Sequence, residues 1–124
     1  MTTFRSKFEE KFSKNLIANG IPVRYEEEVV KYTIPAIVHK YHPDWCIGNY
    51  WVETKGIWSA SDRQKILYVM EQHPEKKIIM VFYRWSDTIG RTSKTTYKMF
   101  CEKHGIECYN QEIPASRLAE LHRS

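Results

Sequence analysis

The sequence predicts an α/β (or α+β) domain, a mixed sheet with helices packed against it. Three observations lead there. Apolar residues recur at helical spacing near the start, in the middle and towards the end of the chain. Two β-rich runs, Trp45-Cys46-Ile47 and Tyr50-Trp51-Val52, bracket Gly48-Asn49. The unbroken apolar run Ile78 to Tyr83 suits a strand covered on both faces. With 124 residues, 42% of them hydrophobic, the chain has the material for one domain with its own core and is not a disordered or fibrous sequence. A single domain over residues 1–124 is expected.

A first helix is expected from about Phe4 to Ala18, because Phe4, Phe8, Phe12 and Leu16 recur every four residues and so share a face. Gly20 suits its C-terminal end, and Pro22 blocks continuation. Val23 to Ile34 reads as extended, with Glu26-Glu27-Glu28 as a turn or bulge within it. Tyr41 to Lys55 reads as a hairpin whose Gly48-Asn49 turn has glycine in the first position. Ser61-Asp62-Arg63-Gln64 has the form of a capping box and should open a second helix that stops before Pro74. Lys77 to Tyr83 follows as a central strand, Arg84 to Ser93 as a polar loop, Lys94 to His104 as a third helix ending at Gly105, Ile106 to Tyr109 as a short strand, and Pro114 to Leu121 as a last helix. The expected order is α-β-β-β-α-β-α-β-α.

Charge and cysteines narrow the function only a little. Nineteen Lys and Arg against fifteen Asp and Glu leave +4, which permits nucleic acid as a partner without requiring it. Cys46, Cys101 and Cys108 are an odd number without C-x-x-C spacing, so a disulfide framework is not expected. His39, His42 and Cys46 lack the fourth ligand a structural zinc site needs. A membrane-spanning helix needs about 20 apolar residues, and no such run occurs; with no apolar leader core after Met1, a cytoplasmic location is expected. Trp45, Trp51, Trp58 and Trp85 read as core or interface rather than base-stacking platforms, and His73 and His104 as helix-terminal residues.

The hairpin has a chemical consequence. If Ile47 pairs with Tyr50, paired residue numbers sum to 97, and so do those of Asp44 and Glu53. The two carboxylates then face each other on one side of the sheet, with Lys55 two residues further along on that side. Facing carboxylates repel, and a divalent cation relieves the repulsion. An acid pair with a neighbouring lysine suits phosphodiester hydrolysis, in which cation and lysine offset the charge growing on phosphate. The same spacing also fits a surface hairpin with solvated charges. The pattern E-x-K alone decides nothing, since Glu9-Glu10-Lys11 and Glu75-Lys76-Lys77 repeat it. Glu9, beside the apolar face of the first helix, reads on its own as a solvated helix charge.

Several stretches together resemble one family. They are Phe4-Arg5-Ser6 with Glu9; Tyr41 and Pro43-Asp44; Val52-Glu53-Thr54-Lys55-Gly56; Asp62-Arg63; Glu71-Gln72-His73-Pro74-Glu75; Cys101-Glu102-Lys103-His104-Gly105-Ile106; and Ile113-Pro114-Ala115. In order and extent they are similar to phage endonuclease I, the Holliday-junction resolvase of T-odd podophages in the PD-(D/E)xK nuclease superfamily. The resemblance implies a restriction-endonuclease-like core and an intertwined homodimer. In that dimer residues 1–28 are exchanged between subunits and residues 29–40 form the bridge. It implies Asp44, Glu53, the Thr54 carbonyl and Glu9 at a Mg²⁺ site that Mn²⁺ also fills, with Lys55 as catalytic lysine and Glu9 supplied to the other subunit's site. The substrate would be a four-way DNA junction, cut by paired nicks, in the host cytoplasm if the protein is phage-encoded. The family carries a longer basic arm and a Lys-rich tail, whose shortness here should weaken junction binding, since phosphate contacts dominate affinity.

Arg5, Lys7, Arg63, Lys65, Arg84, Arg91 and Lys94 are the candidates for phosphate contact, Arg63 and Lys65 because they lie near a helix N-terminus. For each, a solvated surface charge is the plainer reading. Two alternatives stay open: a nicking, homing or restriction-type endonuclease acting on linear duplex, and a catalytically dead dimer that binds branched DNA.

Overall fold

The computed structural model describes residues 3–34 and 37–124. The elements are α1 (Lys7–Ala18), β1 (Val30–Ile34), β2 (Ile37–Tyr41), β3 (Trp45–Ile47), β4 (Tyr50–Lys55), α2 (Ala60–Gln72), β5 (Lys77–Phe82), α3 (Tyr97–His104), β6 (Glu107–Asn110) and α4 (Ala115–His122). The mixed α/β architecture is as expected, but four strands, not three, precede α2. The additional one is β2, which carries Val38 on its exposed side and so lacks a clean apolar alternation.

The main sheet has the order β3-β4-β5-β6, with β3 antiparallel to β4 and the others parallel. Trp45 pairs with Val52, Cys46 with Trp51 and Ile47 with Tyr50, the register derived from the hairpin arithmetic. One face of the sheet packs Trp51, Ile78, Met80 and Phe82 against Trp58, Ile66, Val69, Tyr97 and Cys101 of the α2–α3 side. The other packs Trp45, Ile47, Val52, Ile79 and Val81 against Phe12 and Leu16 of α1 and Leu118 and Leu121 of α4. Burying both faces explains the unbroken apolar run of β5, whose last five residues are buried. Arg117 clamps α4 to this layer through a two-pronged pair with Glu107 at 2.7 and 2.8 Å.

Local chemistry explains where the boundaries shift. α1 starts after Ser6, whose Oγ accepts the Glu9 N–H at 3.1 Å, so Phe4 lies outside the helix. It ends in a Schellman motif: Ile21 N–H reaches Leu16 O at 3.0 Å and Gly20, at φ +69°, reaches Ile17 O at 3.0 Å. The cap of α2 is Ser59, not Ser61; its Oγ accepts from the Asp62 N–H. α3 starts at Tyr97 behind a Thr96 cap, later than expected from Lys94. The extended reading of residues 23–34 holds only for β1. Glu26 takes φ +52°, which breaks the pleat, and sends its N–H to Asp44 O at 3.0 Å. Tyr25 keeps one bridge to Trp45.

β1 and β2 form a separate antiparallel pair, Val30 opposite Tyr41 and Thr33 opposite Val38. They occupy the segment expected as a bridge between subunits, of which residues 35 and 36 lie outside the described ones. Gln72 and His73 of the α2 end bond the backbone of Thr33 and Lys31, which docks the pair on α2. No helix among the described residues is long and apolar enough to cross a membrane.

The β3–β4 turn requires its glycine. Gly48 has φ +53°, while Asn49 does not have positive φ, as a type II′ turn demands. A Cβ at Gly48 would come 2.1 Å from the Leu121 carbonyl oxygen and 2.2 Å from Ser124 Oγ. Gly48→Ala is therefore expected to lower unfolding stability by about 2–4 kcal/mol, from left-handed strain plus the displaced end of α4. Thermal denaturation beside an exposed control substitution checks this.

Candidate active site

The site lies where β3 begins and β4 ends. Continuing the hairpin register by one pair brings Asp44 opposite Glu53. Both are buried, at 2% and 4% exposure, on the sheet face that also carries Lys55. Asp44 Oδ2 accepts the Thr54 N–H at 3.1 Å and the Thr54 hydroxyl at 3.2 Å, and its Oδ1 accepts Arg5 Nη2 at 2.9 Å. Glu53 Oε1 accepts the Tyr41 hydroxyl at 2.7 Å and the Asp44 N–H at 3.3 Å. The surface-hairpin alternative, in which these charges are solvated, is thereby excluded.

Burial, and then the neighbouring Asp44 charge, push the Glu53 carboxyl up to about 8. Lys55 and the Tyr41 hydrogen bond pull the other way and do not win. The Tyr41 hydroxyl is itself held far above its usual range by burial and by Glu53. The sign for stability follows. Without a cation the folded state holds a proton on Glu53 that the unfolded chain releases near its ordinary value of 4.5. Stability from this group is fully present below that value and is lost as pH rises towards about 8. In chelator, Glu53→Gln is expected to melt higher than wild type near pH 8 and equal to it near pH 4.5, a difference of a few kcal/mol at the upper end. Paired melting curves across that range are the measurement.

Lys55 closes the constellation. Its Nζ lies 3.8 Å from Asp62 Oδ2 in the first turn of α2, and Lys65 Nζ lies 3.8 Å from Asp62 Oδ1. Asp62 thus holds two lysines at the rim. A groove of about 380 Å³ opens over the acids, lined by Arg5, Lys40, Lys55 and Lys65 together with Glu26, Tyr41, His42, Asp44 and Glu53. A hollow of about 410 Å³ at the opposite end of β5, beside Pro74, Lys76 and Gly105, is lined by one acid, Glu107, and no acid pair.

Glu9 is buried and not the solvated helix charge its position suggested. Ser6 and Glu9 are N-cap and N3 of α1, and the Glu9 carboxylate accepts the Arg5 N–H at 3.0 Å and the Tyr25 hydroxyl at 2.9 Å. It approaches the acid pair within one chain, separated from Asp44 by the Arg5 guanidinium, whose Nη2 is 3.8 Å from Glu9 Oε2. Ser6-Lys7-Phe8-Glu9 has the S-x-x-E form of a capping box, the signal that could have placed Glu9.

The other candidates for phosphate contact divide. Lys65 lines the groove. Lys7 sits with Phe8, Lys11, Tyr83 and Gln111 in a second hollow of about 300 Å³, and Arg84 stands over the Tyr83 ring. Arg91 and Lys94 are exposed on the loop before α3. Arg63 is turned inward: its Nη1 donates to the Trp58 carbonyl at 2.7 Å and its guanidinium lies over Phe100. Tyr41, Tyr25, Glu26 and Asp62, with Lys40 and His42 on the groove wall, are site residues that spacing alone does not identify as such. Trp45, Trp51 and Trp58 are core residues, at 0%, 3% and 1% exposure.

The donor set fits a hard divalent cation. Two adjacent buried carboxylates, one of them forced to retain a proton and the other covered by a guanidinium, form a site that asks for positive charge. Oxygen ligands of this kind suit Mg²⁺, which is commonly bound by one or two carboxylates plus water and substrate phosphate. Among the described residues no three His, Cys, Asp or Glu side chains converge, which holds for His39, His42 and Cys46 and equally for Asp44, Glu53 and Glu9, so the acid pair stands as two carboxylates.

A buried acid pair with a lysine, at the edge of a groove that also carries Arg5, Lys40 and Lys65, is an arrangement suited to phosphodiester cleavage. Comparison with known proteins shows that the chain is a nuclease. The model of the phage endonuclease I family matches residues 1–124, and the chain belongs to that family. It is 47% identical over 118 residues to Endonuclease I of Escherichia phage T7, across 94% of this chain and 79% of that protein. It is 42% identical over 118 residues to Endodeoxyribonuclease 1 of Enterobacteria phage T3, across 94% of this chain and 78% of that protein.

Proposed function

We propose that the chain is a Mg²⁺-dependent DNA endonuclease that resolves four-way junctions by paired phosphodiester hydrolysis. The observation that carries the chemistry is the buried Asp44–Glu53 pair with Lys55 on the same face of the sheet. The choice of DNA rests on the named relatives, and the choice of a junction on the family resemblance. Asp44 and Glu53 would hold the cation, Mg²⁺ or Mn²⁺, together with the Thr54 carbonyl and Glu9. When bound, the cation supplies charge that lowers the pKa of water beside the scissile phosphate and offsets the charge developing there.

The chain's own residues do the rest. Lys55, restrained by Asp62, directs its ammonium at the phosphate oxygens, where negative charge grows as water adds to phosphorus and the P–O bond to one deoxyribose breaks. Thr54, through its N–H and hydroxyl, fixes the Asp44 carboxylate. Tyr41 holds one oxygen of Glu53, so the acid does not rotate out of the groove. Lys65, Lys40 and the exposed Lys7, Arg84, Arg91 and Lys94 draw in the phosphate backbone. Two such sites in a homodimer, joined by residues 29–40, suit two nicks across a branch; with residues 1–28 exchanged, each site would receive its Arg5 and Glu9 from the other subunit in the geometry seen here within one chain.

Cleavage of a labelled four-way junction, beside a duplex of the same arms, tests this. Paired symmetric nicks near the branch, in Mg²⁺ and not in chelator, are the expected result. Equal cutting of duplex would replace the junction reading with a duplex endonuclease, and tight binding without cutting would leave only a branched-DNA binder.

A further inference from the structure

Arg5 is an unusual residue to find at the centre of an acidic site. Its side chain is 67% exposed, and an exposed arginine ordinarily gains little from one ion pair. Here four groups hold it. Nη2 lies 2.9 Å from Asp44 Oδ1 and 3.8 Å from Glu9 Oε2, Nε lies 3.0 Å from Glu26 Oε2, and Nε also donates to the Tyr25 hydroxyl at 3.3 Å. The backbone is arranged to deliver it. Arg5 directly precedes the α1 cap, and its own N–H is taken by Glu9 Oε1 at 3.0 Å. Glu26 adopts the left-handed region at φ +52°, a costly conformation for a glutamate, and is tied there by its N–H bond to Asp44 O. The guanidinium therefore stands on the carboxylate oxygen that the hairpin offers to a cation, and its exposure leaves it a way out.

We infer that Arg5 is the resident counter-ion of Asp44: it balances the acid pair while no divalent cation is bound, and a divalent cation must displace it from Asp44 Oδ1 to bind. This rests on the metal-dependent reading above and adds a competitor to it. Displaced, the guanidinium stays tethered near the groove by Glu26 and becomes available to a DNA phosphate. Anything that draws Arg5 off Asp44, a phosphate included, then favours cation binding, so cation and DNA bind with positive coupling. Arg5 acts through Asp44 and is a positioning residue, so its signature belongs in metal affinity and not only in turnover.

Calorimetric titration of the DNA-free protein with Mn²⁺ alone tests it, comparing wild type, Arg5→Ala and Arg5→Gln at one pH. Removing a charged hydrogen-bonding competitor is expected to tighten Mn²⁺ binding roughly tenfold. The Mn²⁺-induced rise in Tm should also be larger in the variants, although they start from a lower Tm in chelator. Arg5→Gln keeps most of the side chain's bulk and gives the same reading if the alanine variant does not fold. Wild type that binds Mn²⁺ while a folded Arg5 variant binds no more tightly overturns the counter-ion role alone. Wild type that binds no divalent cation overturns the metal-dependent reading and this inference with it.

Discussion

On the proposed metal-dependent mechanism, Asp44→Asn is expected to reduce DNA cleavage by a thousandfold or more, on the order of losing both the cation and its anchor. The substitution is nearly isosteric, but its chemistry is wrong for the site. Asp44 accepts three hydrogen bonds, two from Thr54 on one oxygen and one from Arg5 on the other. An amide has one acceptor oxygen, so its NH₂ must face either the Thr54 donors or the guanidinium. That costs about 1–3 kcal/mol of stability and leaves the fold intact, because the core on both sheet faces is untouched. The variant should also lose the metal-dependent rise in Tm. The Glu53 proton should come off at lower pH, since the Asp44 charge is one of the causes that raise it. Single-turnover cleavage under saturating protein, with DNA binding measured in chelator, separates lost chemistry from lost affinity.

Lys55→Ala is the second large effect, expected at about a hundred- to a thousandfold in the cleavage step, the range for removing one preorganised donor from a developing oxyanion. It differs from Asp44→Asn in what survives. Lys55 makes no hydrogen bond to either carboxylate, and its nearest acid is Asp62 at 3.8 Å. The variant should therefore still bind Mn²⁺ and still show the metal-dependent Tm shift while failing to cut. Equal loss of metal binding in both variants would mean that the lysine serves to hold the acids and not to assist the reaction.

The part of the site legible beforehand was the part set by period-two geometry. Asp44, Glu53 and Lys55 share a face because one turn, Gly48-Asn49, fixes the register of every pair beyond it. The same glycine carries the positive φ that the turn type demands. What stayed hidden depends on long-range contacts. Glu9 looks like a helix surface charge until Tyr25, sixteen residues later, donates its hydroxyl to it. Arg63 looks free for phosphate until the fold brings the Trp58 carbonyl and the Phe100 ring to its guanidinium. β2 gives no strand signal of its own because Val38 is 65% exposed and the β1–β2 pair lies apart from the main sheet. Ser59 and Ser61 are both competent caps, and only the chain path after Trp58 selects the first.

The most direct measurement is anomalous scattering from crystals soaked in Mn²⁺, which locates the ion without reference to activity. The predicted result is a peak between the carboxylates of Asp44 and Glu53, with the Arg5 guanidinium withdrawn from Asp44. A protein that cuts DNA in Mn²⁺ while its ion sits away from both acids would contradict the account.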